Sequence, residues 1–228
     1  MRIFIPLLFL TICYTGTSQV QKDSLDFETN FLEDQFYLGI TYNFLINQPE
    51  QVNQRNLSYG FQTGFIKDMP ITKDRKIALG LGFGYALNTY YSNLRAIKES
   101  SDISYSIIED AADFTRSKFE SHVIEIPFEL RWRDATAQNY KFWRVYAGFK
   151  LGYVMHSRSK FVSDLRTDSF KNTDLQNWTY GLTLNLGYNT FNLHAYYGLN
   201  TIFKENVLIN TQGVLMKPLR IGLIFYIL

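Results

Sequence analysis

The chain has 228 residues, of which 17% are aromatic (19 Phe and 16 Tyr) and 19% charged, with a formal net charge of +2. Charged residues fall below the ~25% of a soluble domain, and no basic stripe of the kind that binds nucleic acid is present. No internal run approaches the ~20 apolar residues of a membrane helix, and mean hydropathy is only −0.15.

The chain opens on Met1-Arg2, an apolar run from Ile3 to Ile12, and the small residues Gly16-Thr17-Ser18. A basic start, a short apolar core and small residues make a secretory signal peptide, expected over 1–18 with cleavage near Ser18. Ile12 is too bulky for a good lipoprotein box before Cys13, the single cysteine. A cleaved chain would therefore hold no disulfide and no thiolate metal site. Residues 19–35 are polar without periodicity and are expected to form a periplasmic lead-in.

From residue 36 onward the pattern alternates. In Ile77-Ala78-Leu79-Gly80-Leu81-Gly82-Phe83-Gly84-Tyr85-Ala86-Leu87-Asn88, odd positions are large and apolar and even positions small or polar. A period of two marks a two-faced strand, here close to the ~9–11 residues that cross a bilayer with tilt. Eight strands are expected, over 36–46, 57–67, 75–91, 119–133, 141–157, 175–189, 191–204 and 217–228. Long polar segments (47–56, 92–118, 158–174, 205–216) alternate with short ones (68–74, 134–140 and the Asn189-Thr190 turn). Long loops on one rim and short turns on the other, with an even strand number, describe an all-β, eight-stranded antiparallel transmembrane barrel of the bacterial outer membrane.

Alternation alone does not say which face is inside. A barrel of eight strands has an interior just wide enough for side chains to fill. The apolar set (Phe36, Leu38, Ile40, Tyr42 and Phe44 in the first strand, Ile124, Ile126, Phe128, Leu130 and Trp132 in the fourth) is too bulky for it. The opposite face carries Gly60, Gly64, Gly80, Gly82, Gly84, Gly148 and Gly152, which suit a narrow lumen. The apolar face is therefore expected to meet lipid.

The inward set also carries charge: Glu125, Glu129, Arg131 and Arg133, then Arg144, Tyr146, Lys150, His156 and Arg158, then His194, Tyr196 and Arg220. Isolated buried charge is costly, so Glu125, Glu129, Arg131, Arg144, Lys150, His194 and Arg220 are expected to form a structural lumenal network, with Glu125 and Glu129 facing Arg144 and Lys150. Catalysis finds little support. The chain has no Gly-x-Ser-x-Gly elbow and no His-Glu-x-x-His motif. Its three histidines, at 122, 156 and 194, lack metal-ligand spacing. His122 reads as lipid-facing beside Ser121, a weak echo of a lipid-modifying hydrolase, but adjacent strand residues point to opposite faces. Asp164, Asp168 and Asp174 match no calcium-loop spacing. No cofactor or metal is expected, and eight charge-filled strands are too few for an open porin.

The segment Val123-Ile124-Glu125-Ile126-Pro127-Phe128-Glu129-Leu130-Arg131-Trp132 is specific, because proline removes a ladder hydrogen bond and is unusual inside a strand. With the following Trp143-Arg144-Val145-Tyr146-Ala147-Gly148-Phe149-Lys150-Leu151-Gly152-Tyr153 it resembles the PorT-type outer-membrane barrels of Bacteroidota. That resemblance implies an eight-stranded barrel and, by family association, a part in type IX protein secretion. The family has no recognised catalytic residues, so it assigns none here. The expectation is a non-enzymatic accessory subunit of a secretion or outer-membrane assembly machine, with lipid and envelope proteins as partners, no nucleic acid, and contact surfaces at 92–118 and 158–174. A stand-alone structural or adhesion barrel and a lipid-modifying enzyme are the alternatives.

Overall fold

The computed structural model describes residues 34–100, 102–110, 114–134, 142–189, 191–209 and 212–227. The expected signal peptide and nearly all of the expected lead-in lie outside the described residues, as do Thr190 and most of the turn at 134–140.

Along the described chain run β1 (Gln35–Ile46), β2 (Tyr59–Pro70), β3 (Ile77–Tyr91), β4 (Leu94–Glu99), β5 (Asp102–Ile107), β6 (Arg116–Arg133), β7 (Trp143–Val162), β8 (Thr167–Lys171), β9 (Trp178–Tyr188), β10 (Phe191–Gly198), β11 (Leu208–Ile209), β12 (Gln212–Gly213) and β13 (Lys217–Ile227). Eight of them close a barrel in the order β1-β2-β3-β6-β7-β9-β10-β13. Every neighbour is antiparallel, and β13 pairs back onto β1 from Phe36↔Ile227 to Ile46↔Lys217. Closure leaves no barrel edge exposed to lipid, which a membrane-spanning sheet requires.

The two faces sort as their chemistry demands. On β6, Ile126, Phe128, Leu130 and Trp132 are exposed, while Glu125, Glu129, Arg131 and Arg133 are buried. From Trp132 to Ile124 this strand climbs roughly 27 Å along its length, about 20 Å along the barrel axis after tilt, near the height of an outer-membrane apolar belt. Paired rings edge the belt. Trp143 and Tyr188 meet at 5.1 Å on the short-turn rim, and Tyr153 and Trp178 at 5.0 Å toward the other. Pro127 interrupts one ladder of β6. The β3–β6 pairing stops at Leu81↔Phe128 and resumes in the same register at Gly84↔Glu125. Gly82 fills the gap, since a β-carbon there would press on Pro127 and on β2.

Sequence expectation and structure part company at the long-loop rim. Segments 92–118 and 158–174 are built largely as strands, and 205–216 carries the short β11–β12 pair. β6 and β7 stay paired up to Arg116↔Val162, β8 adds to the edge of β7, and β4 and β5 form a hairpin over them. Here the face rule inverts: apolar side chains turn inward and charged ones outward, as in a protein standing in water. On β6 the phase never changes, but the inward residues become Phe119 and Ser117 and the outward ones Glu120 and Lys118. On β7 a bulge opposite His122 and Val123 admits one extra residue and shifts the phase. That bulge corrects two expectations. His156 and Arg158 are not lumenal; they lie on the outer face, and Ser157, Ser159 and Phe161 point in.

Candidate functional site

The lumen is filled in two layers. The lower one is built on Asp68, whose carboxylate meets Arg131 at 3.0 Å and Arg133 at 2.8 Å. Arg131 also reaches Glu129 at 3.1 Å and donates to the Gln35 side chain at 3.0 Å, with its guanidinium 4.4 Å from the Tyr146 ring centre. Arg133 donates to the Arg75 carbonyl, tying the layer to the short β2–β3 turn. Above it, Glu125 takes Lys150 at 2.9 Å and Arg220 at 3.4 Å. Lys150 also donates to Gln62, and Arg220 donates to Asn88 and lies 3.6 Å over the Tyr196 ring. Asn185 links the layers, donating to Glu129 and accepting from His194 Nδ1. Arg131 and Arg133 are fully buried, so each charge stands only because carboxylates, carbonyls and ring faces replace its water.

Six of the seven residues singled out in the sequence, Glu125, Glu129, Arg131, Lys150, His194 and Arg220, come together here. The seventh, Arg144, does not join the carboxylates. It stands opposite Arg133, four residues down the strand from the Gly148 that faces Glu129, and its guanidinium donates to the Asn189 carbonyl and packs on Phe142. Glu129 consequently pairs with Arg131 on its own strand. Asp68 lies one residue beyond the 57–67 span that the alternation predicts for this strand, and β2 runs on to Pro70. The inward even positions Gly60, Gln62, Gly64, Ile66 and Asp68 carry the signal that could have found it.

An apolar plug closes the long-loop end. Leu45, Tyr90, Leu94, Phe119, Phe203 and Met216 belong to one buried cluster, with Phe203 edge-on to Phe119 at 5.1 Å and to Tyr105 at 5.6 Å. Between plug and charged layers, beside Asn88, Tyr196 and Arg220, remains a space of about 30 Å³, room for a water or two. The β4–β5 hairpin is pinned by Tyr105, whose hydroxyl lies 3.1 Å from both Asn172 Oδ1 and Asp174 Oδ2. Burial pushes that phenol well above its ordinary value of 10.0, so it stays a neutral donor. Of the outer-loop aspartates, Asp164 is exposed, whereas the other two are engaged. Asp168 sits in β8 within 3.7 Å of Arg95 and 3.2 Å of Arg166, and Asp174 holds Tyr105.

Acid–base chemistry finds no assembled dyad among the described residues. His122 is on the outer face, bonded to the Tyr85 hydroxyl at 2.5 Å and edge-on to His156 at 5.6 Å. The buried His194 is held by an amide, not a carboxylate. Among the described residues, no group of three or more His, Cys, Asp or Glu side chains is placed to hold a metal ion.

A sequence model of the outer membrane protein beta-barrel domain matches residues 18–204. No curated protein matches the chain significantly. Among solved structures it is similar to Ail, the attachment invasion locus protein of Yersinia pestis, at 14% identity over 85% of this chain and 96% of that one, with a TM-score of 0.38. It is also similar to the same protein in complex with the heparin analogue sucrose octasulfate, at 14% identity over 86% and 97%, with a TM-score of 0.36. The match over most of its length, on a closed lipid-belted barrel, means that the chain belongs to the outer membrane protein beta-barrel domain family and resides in the bacterial outer membrane.

Proposed function

We propose that this barrel is a non-enzymatic accessory subunit of an envelope machine that secretes or assembles proteins, with the type IX system of Bacteroidota as the machine its PorT-like strand pair points to. The observation that carries this is a lumen filled at two levels beneath an outer rim built of paired strands. Among the described residues the charged layers and the apolar plug fill the lumen at two levels, which argues against transport through the barrel. The rim, meanwhile, carries two long strand extensions, the β4–β5 hairpin and β8 above the membrane. Function on barrel proteins concentrates on such loops held by a scaffold. The Val123–Trp132 strand with its mid-strand proline supports the family link. The expected signal peptide supports export by the general secretory route.

The test is purification of the tagged chain from native outer membranes under mild detergent. Co-purification of a defined set of envelope proteins, lost when the β4–β5 hairpin is replaced by a short turn, is the expected result. Recovery of a lone monomer from native membranes would instead favour a stand-alone structural or adhesion barrel. A changed lipid profile on deletion, reproduced by His122→Ala, would favour a lipid-modifying enzyme.

A further inference from the structure

We propose that the outward face of the β6–β7–β8 sheet, just beyond the apolar belt, is a binding site for phosphate groups on the headgroup of an outer-leaflet glycolipid. Strand register assembles it: Lys118 stands opposite Lys160, and Glu120 opposite Arg158, which in turn stands opposite Lys171. Four cations thus share one face with a single carboxylate. Glu120 is already committed to Lys118 at 2.5 Å and lies 3.9 Å from Arg158. Lys160 and Lys171 have no ion-pair partner among the described residues. Like charges directly opposite on neighbouring strands destabilise a sheet, and an anion seated across the Lys118–Lys160 pair removes that cost. The phase shift at the β7 bulge puts Arg158 and Lys160 on this face; without it they would point into the lumen.

Height selects the occupant. Outward residues on β6 run Ile124, His122, Glu120, Lys118, beside Tyr153, His156, Arg158 and Lys160 on β7. Each outward step rises roughly 5 Å along the barrel axis after tilt, so the first charged row stands about 10 Å above the Ile124–Tyr153 row. That is the headgroup layer of a lipid whose acyl chains lie on the belt at Ile124, Tyr153 and the adjoining Trp178. A soluble anion has no reason to prefer a face continuous with lipid.

The experiment titrates the full chain, purified in neutral detergent, with bisphosphorylated lipid A, with lipid A of the same acyl chains lacking phosphate, and with inorganic phosphate. Bound lipid is read by native mass spectrometry. The bisphosphorylated form should bind roughly ten-fold tighter than the phosphate-free one, with the difference shrinking as salt rises. The Lys160→Gln/Lys171→Gln variant should lose that preference, the corresponding double Arg variant should keep it, and Lys76→Gln on the opposite rim should leave it unchanged. Equal binding of the two lipids, an unaffected double Gln variant that remains heat-modifiable, or full competition by inorganic phosphate would overturn the proposal.

Discussion

Asp68 and Arg133 meet at 2.8 Å inside the lumen, joining the short-turn end of β2 to that of β6 across the intervening β3. The same carboxylate holds Arg131, so one acidic residue is shared by two buried guanidiniums from alternate positions of a single strand, with Glu129 supplying the second negative charge to Arg131.

Removing that carboxylate should therefore cost more than removing Glu129, whose partner Arg131 keeps Asp68. Asp68→Leu is expected to destabilise the barrel by about 3–5 kcal/mol, the range for breaking a buried pair, and Glu129→Leu by less. Heat-modifiability on gels, or thermal unfolding in micelles, ranks the two. An order with Glu129 more costly would mean that Asp68 is not the centre of the lower layer.

Tyr37 crosses the lumen with its hydroxyl in the space a β-carbon on Gly84 would occupy. Gly84→Val should displace the ring and cost roughly 1–3 kcal/mol through overpacking. Gly84→Ala should cost less than Gly84→Val, and adding Tyr37→Phe to it should relieve part of that cost, because the Thr63 carbonyl 2.8 Å from the new β-carbon remains. A Gly84→Val barrel as heat-resistant as wild type would contradict this close approach.

The Tyr105 phenol should make the outer hairpin sensitive to alkali. Its value in the folded chain is raised above the ordinary 10.0, so its contribution is complete below pH 10 and is lost as pH climbs toward the raised value. Protease nicking within 92–118 should accelerate above about pH 10 in the wild type. In Tyr105→Phe the hairpin should be looser at neutral pH by about 1 kcal/mol and should lose this dependence. Identical pH profiles for the two would show that Tyr105 does not pin the hairpin.

Two seals in series predict a silent protein in planar bilayers. Phe203→Ala, which empties the centre of the plug, should cost roughly 3–5 kcal/mol of stability and still not conduct, because the charged layers beneath it remain. Steady ion conductance from that variant would mean that the plug alone closes the lumen.

How much could be read beforehand differs by region, and the reason is environmental. Within the membrane, lipid outside and a narrow lumen inside force a strict alternation, so the Ile77–Asn88 pattern alone placed a strand and its outward face within two residues of its ends. Glu125, Lys150 and Arg220 were recognisable as lumenal because a charge on that face has nowhere else to go. Above the membrane both neighbours of a strand are less demanding, and Leu94, Phe119 and Phe161 sit among polar residues in stretches too short to announce β4, the extensions of β6 and β7, or the plug.

The amino-acid sequence by itself determined the barrel, its strand number, its lipid-facing side and its membrane, since each follows from periodicity and side-chain volume. Only the tertiary structure decided which charges pair, that Asp68 rather than Arg144 completes the network, and that His156 and Arg158 face outward. Those outcomes hang on register and on one bulged residue, and a single inserted position reverses every side chain beyond it.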